Sequence, residues 1–139
     1  MLKNIAEAML GSRPFDLVIR NVQIVNVFSA SIVSGSIGIV NGQIAGVFGP
    51  EELPEGRRTI DGGDAYALPG FVDSHMHLES SMLTPDHFVQ VAISCGTTTV
   101  CADPHEIANI LGPEGVRGMA DACRDLPLRV LLTAPSTIP

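Results

Sequence analysis

The sequence predicts an α/β protein in which a front portion of short β-strands is followed by the opening strands of a parallel sheet with helical crossovers. Three observations carry that expectation. Residues 15–48 are short β-branched runs separated by turn residues, the pattern of antiparallel β structure. From residue 69 onward, apolar runs of strand length alternate with segments of helical period, as β–α–β units require. The composition shifts at Pro69-Gly70, a turn dipeptide directly before the apolar run FVDSH. The organisation expected is a helical lead-in over residues 1–14, a β portion over 15–68 and β/α units over 69–139.

The first element is a short amphipathic helix in MLKNIAEAMLGSRP, ended by Gly11. Glu7 interrupts its apolar part, so the segment makes a poor secretory signal. Residues 17–20, 23–27, 36–40 and 43–48 follow as strands. Asn41-Gly42, between the last two, is the dipeptide favoured in a type I′ hairpin, where both central residues need positive φ. Gly49-Pro50 ends that hairpin, EELPEG is an acidic loop, and residues 58–60 add a strand before the Gly62-Gly63 turn. The whole of this portion is expected to be antiparallel.

Beyond Pro69-Gly70, residues 71–75 are a strand. Thr84 is placed to cap a helix, with Pro85 at the first helical position and Asp86 in the first turn. That helix runs to about Ser94, buries Phe88, Val91 and Ala92, and stops at Gly96. Residues 97–103 form the next strand. Pro113-Glu114 opens a second helix with Val116, Met119, Ala120 and Cys123 on one face, and residues 128–132 are a third strand. Parallel strands joined in this way need right-handed crossovers. Three strands do not close a barrel, which takes roughly 250 residues, so the expectation is a small open domain or the front of a larger one.

Composition excludes several function classes. With 45% hydrophobic and 17% charged residues, the 139-residue chain folds and is not disordered. A net charge of −7, with eight scattered Lys and Arg, offers no basic stripe to nucleic acid or to an anionic membrane. No apolar run approaches the ~20 residues that span a bilayer. Cys95, Cys101 and Cys123 are odd in number and lack C-x-x-C spacing. That argues against a disulfide framework or a Cys-rich zinc site, and for buried free thiols in a reducing cytoplasm. There is no G-x-G-x-x-G, P-loop or G-x-S-x-G motif.

The residues able to do chemistry gather after two of the strands. In GFVDSHMHLESS, Asp73, His75 and His77 alternate along one strand and share a face. Two imidazoles so spaced can reach one ion at about 2.0–2.1 Å from each nitrogen. They stand at the C-terminal end of a parallel strand, where α/β folds gather active-site groups. H-x-H by itself is a weak signal, and its setting after Pro-Gly and an apolar strand makes it stronger. The second cluster, ADPHE, ends the strand at 97–103, so Asp103, His105 and Glu106 are expected on the same rim. Asp103 can hydrogen-bond a ligating imidazole and fix its tautomer. His105 or Glu106 can meet a substrate, a metal or a proton in transit. The plainer alternative has Asp103 capping the loop and Glu106 in solvent. Glu79 and Ser80, with Ser81, either shape the site or cap local backbone, and His87 is a surface residue of the first helix.

These residues resemble a known family. A β segment with an Asn-Gly hairpin, followed by ALPGFVDSHMH, is similar to the amidohydrolase superfamily. HLESSMLTP, GTTTVCADPHEIANILG and DLVIRNVQIVNVFS resemble its bacterial adenine deaminase branch, over residues 15–139. The resemblance implies a distorted (β/α)8 barrel flanked by a small β-sandwich, of which this chain holds the first barrel strands and part of the sandwich. It implies that His75 and His77 ligate the more buried ion of a two-metal centre of manganese or iron(II), with zinc as the alternative, the other ligands coming from later strands. The implied reaction is hydrolysis of adenine to hypoxanthine and ammonia for purine salvage in the cytoplasm, by a homo-oligomer. The 139-residue chain alone is then expected to be inactive. His105 and Glu106 match the family's second-strand motif and are candidate catalytic residues, without an assigned role. Two other readings stay open: an amidohydrolase acting on another cyclic amide or amidine, and a non-catalytic fragment or assembly subunit completed by a second chain.

Overall fold

Strand β1 (Leu17–Asn26), rich in Val and Ile, is the strand on which the first unit is built in the computed structural model, which describes residues 2–135. The chain divides into two units, Met1–Pro69 and Gly70–Pro139. In the first, β2 (Ser31–Val40) pairs antiparallel with β1, and β3 (Gln43–Phe48) pairs antiparallel with β2. The Asn41-Gly42 turn has both residues at positive φ, 52° and 73°, as a type I′ turn requires.

Several expectations are corrected here. Residues 17–20 and 23–27 belong to one strand and not two. Its pairing to β2 slips between Ile19 and Val22, and Asn21 takes a φ of 53° at the irregularity. Strand β2 begins at Ser31, because residues 31–35 continue the ladder to residues 22–26 despite their Ser and Gly content. The unit is not wholly antiparallel either. β4 (Thr59–Asp61) and β5 (Tyr66–Ala67) both pair with β1 in parallel, on the side away from β2. Helix α1 (Leu2–Met9) adds Ala8 to a core of Phe15, Val18 and Val40. Phe15 meets Phe48 edge-on at 5.4 Å. Burying side chains of this size contributes about 1.5–3 kcal/mol each.

The second unit holds three parallel strands in the order β6 (Phe71–Met76), β7 (Thr97–Ala102), β8 (Arg129–Leu132). Helix α2 (Pro85–Ser94) joins β6 to β7, and α3 (His105–Cys123) joins β7 to β8. Thr84 precedes α2 in extended conformation, but its hydroxyl makes no backbone cap; it bonds His87 Nδ1 at 2.7 Å. The buried residues of α2 are Val89 and Ala92, while Phe88 is half-buried and Val91 exposed, so the inward face is rotated from the one expected.

Helix α3 departs further. It starts at His105, not at Pro113, and breaks at Gly112, whose φ of 61° and ψ of −150° lie in a region open essentially to glycine. The Pro113-Glu114 start is the second half of this broken helix. His105 and Glu106 accordingly occupy a first helical turn and not a loop. The two halves meet closely at Gly115, where a Cβ would lie 2.7 Å from the Ile107 carbonyl oxygen. Val89, Ala92, Val100 and Leu128 form one core group, and Leu78, Ala102 and Cys123 another. The thiols are not uniformly buried: Cys123 is, Cys101 is half-buried, and Cys95 is exposed where α2 ends. Among the described residues no helix is long and apolar enough to cross a membrane.

Candidate metal centre

The register of β6 against β7 decides where the two clusters meet. Asp73 pairs with Val100 and Met76 with Ala102, and the Asp103 N–H donates to the Met76 carbonyl at 2.9 Å. The strands end level, so His77 and Asp103 leave the sheet side by side at its C-terminal rim. His77 Nδ1 lies 2.9 Å from the Asp103 carbonyl oxygen. A carbonyl only accepts, so Nδ1 carries the proton and Nε2 keeps its lone pair. Metal-binding histidines are commonly oriented in this way. Asp103 thus orients the His77 imidazole with its backbone carbonyl. Its buried carboxylate lies 3.7 Å from His105 Nδ1.

Among the described residues, His77, Asp103 and His105 form a group whose ligand atoms all lie within 4.8 Å of one another. His77 is the shared member of two ring pairs: its centroid is 4.5 Å from that of His105 and 4.8 Å from that of His75, edge-on in both. The His75 N–H donates to Asp73 Oδ1 at 3.1 Å, so exposed Asp73 acts on the strand's own backbone. These residues fit a divalent ion. His77 presents a lone pair, the Asp103 carboxylate is held out of water, and the His105 Nδ1 is shielded from solvent without a hydrogen-bond partner. Imidazole nitrogens beside a carboxylate are a donor set for zinc, iron or manganese.

The remaining predicted residues form a brace across the rim. Glu79 and Ser80 lie in a 3-10 turn, Glu79–Ser81, directly after His77 and Leu78. The Ser80 hydroxyl donates to Glu106 Oε1 at 2.5 Å, and the Ile107 N–H donates to Glu79 Oε1 at 3.2 Å. Local capping is left to Ser81, whose hydroxyl bonds the Leu78 carbonyl at 2.6 Å. The Ile107 backbone is a participant that sequence reasoning missed. The signal was present: Pro104 followed by an acidic residue two positions on is a helix-start pattern.

His87 is exposed on α2. With Thr84 and Asp86 it mimics a nucleophile–base–acid triad, and Thr84 bonding holds the Asp86 carboxyl below its ordinary range. Hydroxyl and carboxylate, however, meet the same ring nitrogen, Nδ1, at 2.7 and 3.7 Å. A working triad uses both nitrogens of the imidazole.

Parallel β/α units with a His/Asp/His group on the C-terminal rim have the layout of a β/α barrel that carries its chemistry at the mouth. The Amidohydrolase family matches residues 66–139, and the chain belongs to that family. It is 45% identical to the adenine deaminase of Nitratidesulfovibrio vulgaris (strain DP4), over 100% of this chain and 24% of that protein. The chain therefore spans about a quarter of the length of the curated relatives it matches. Among solved structures, the L-hydantoinase of Arthrobacter aurescens shares the fold with a TM-score of 0.65 at 22% identity, over 85% of this chain and 27% of that one. The N-acyl-D-glutamate deacylase of Bordetella bronchiseptica, solved with zinc and a phosphonate inhibitor, does so with a TM-score of 0.63 at 20% identity, over 88% and 30%. The architecture expected from the sequence, the opening strands of an amidohydrolase barrel, is the one found.

Proposed function

We propose that this chain carries the metal-binding front of an adenine deaminase, an enzyme that hydrolyses adenine to hypoxanthine and ammonia. The observation that carries the reading is the His77–Asp103–His105 group, standing in a chain that matches an adenine deaminase along 100% of its length. His77 would hold the ion through Nε2, with Asp103 and His105 as the neighbouring donors. His75 lies outside that group but edge-on to the His77 ring, and would add a ring nitrogen. With those lone pairs engaged, neither His75 nor His77 would move a proton. A bound divalent metal supplies a Lewis acid that brings the pKa of water towards neutrality. Manganese or iron(II), in a two-ion centre, is the assignment the family resemblance favours, with zinc as the alternative. Glu106 accepts the Ser80 hydroxyl on one oxygen and keeps the other to accept a purine N–H, or to take up a proton from water and pass it to the departing ammonia. Asp73 steadies the strand end that presents His75. The reaction serves purine salvage, and its setting is the cytoplasm, in a homo-oligomer.

The test is ammonia release by the Mn2+-loaded full-length enzyme whose front this chain is proposed to be, with adenine assayed beside a panel of cyclic amides. Adenine turnover is expected. His75→Ala and His77→Ala should each weaken metal binding by about a hundredfold or more, beyond the range seen for residues that merely support a ligand. Turnover of a cyclic amide without adenine would overturn the substrate. Wild-type turnover by metal-free protein would overturn the centre.

A further inference from the structure

We infer that Glu79 and Ser80 are positioning residues for the metal, gripping the first turn of α3 from the opposite loop and so setting His105 against His77. The inference rests on the metal-centre reading above and deepens it.

Helix α3 lacks an ordinary start. Pro104 stands at its N-cap position and makes no side-chain bond to the backbone. In most helices the N-cap side chain accepts a hydrogen bond from the second or third N–H, groups that have no partner within the helix. Here that third N–H belongs to Ile107, and its acceptor is Glu79 Oε1, 28 residues away in sequence. Ser80 adds a second grip, on the Glu106 side chain. Both attachments fall on the two residues that follow His105 immediately.

The other end of the brace is equally fixed. Leu78, between His77 and Glu79, is 2% exposed and packs with Ala102 and Cys123. His77 itself is tied to the Asp103 carbonyl. The segment bearing His77 and the segment bearing His105 are therefore joined on both sides of the donor group, by His77–Asp103 on one and by Glu79–Ile107 with Ser80–Glu106 on the other. The ring separation of 4.5 Å between His77 and His105 is set by this frame. Without it, the first turn of α3 loses its only side-chain cap among the described residues, and His105 loses its fixed distance from the other donors.

The test is Mn2+ affinity of the intact protein, by equilibrium dialysis with metal analysis, on Glu79→Ala, Glu79→Gln, Ser80→Ala and His77→Ala, with the metal-free melting temperature measured in parallel. Gln keeps the acceptor for Ile107, and because Glu79 Oε2 has no hydrogen-bond partner, its NH2 group replaces one unpaired atom by another. Glu79→Ala should bind Mn2+ about tenfold more weakly while remaining folded, Ser80→Ala about threefold, and Glu79→Gln should stay within about threefold of wild type. A residue that only stabilised the fold would lower the melting temperature and leave the affinity of the folded protein alone. Wild-type affinity in Glu79→Ala, with His77→Ala weak, would overturn the inference and leave the metal centre standing. Equal loss in Glu79→Ala and Glu79→Gln would overturn it too, by making charge and not capping the cause. Equal affinity in wild type and His77→Ala would sink the metal-centre reading and this inference with it. If Glu79→Ala does not fold, Ser80→Ala against wild type decides in the same way.

Discussion

His77 divides its two nitrogens between two jobs: Nδ1 is committed to the Asp103 carbonyl and Nε2 is left for a ligand. That division needs the backbone of a residue from the next strand, so no local pattern could encode it. That His75 and His77 stand close was legible from their spacing, although β6 ends at Met76 and His77 lies just past it, so alternation along the strand does not reach His77. The closer approach of His105 to His77 was not, because it depends on the slip in register between Asp73 and Met76 and on the first turn of α3. The cysteines give a test at the same scale. Burial pushes the Cys123 thiol up, and the nearby Glu79 charge adds to the effect, whereas Cys95 is exposed. A raised pKa means less thiolate at a given pH, and the thiolate is the reactive form. Alkylation of the native protein near pH 8 should therefore modify Cys95 first and Cys123 only after denaturant is added, as followed by peptide mass mapping. Equal rates at the two sites in native protein would contradict the burial described.

At the scale of elements, the broken helix α3 hinges on one residue. Gly112 holds a backbone conformation that side chains other than hydrogen resist, so Gly112→Ala should cost about 1–3 kcal/mol in urea unfolding. An unchanged midpoint would mean that the break is not required. Sequence pattern found the second half of this helix because its apolar positions recur at helical spacing. It missed the first half because Pro104 and Gly112-Pro113 look like loop punctuation. The Asn41-Gly42 hairpin was legible for the opposite reason, since everything that determines it lies in two residues. The parallel pairing of β4 and β5 with β1 was not, because those short strands are matched to a partner about forty residues back along the chain.

For the whole molecule, the three-stranded sheet has β6 and β8 at its edges, with Phe71 and Val72 on the one and Leu131 on the other exposed. Unpaired edges with apolar side chains invite other strands. The 139-residue chain expressed by itself should self-associate with rising concentration and bind an apolar fluorescent dye, as read by light scattering and emission. A monodisperse monomer that leaves the dye dark would contradict this. Family membership was legible from motif order along the whole chain, but the contacts the rim makes to a substrate were not, since one donor group and one carboxylate do not define a substrate's shape.

Because β4 and β5 flank β1 in parallel, a nascent chain leaving the ribosome completes the β1–β2–β3 meander while one side of β1 still stands bare. At roughly 5–20 residues per second, the stretch from Asn26 to Thr59 takes a few seconds to emerge. During that interval β1 is the segment a chaperone would have to shield.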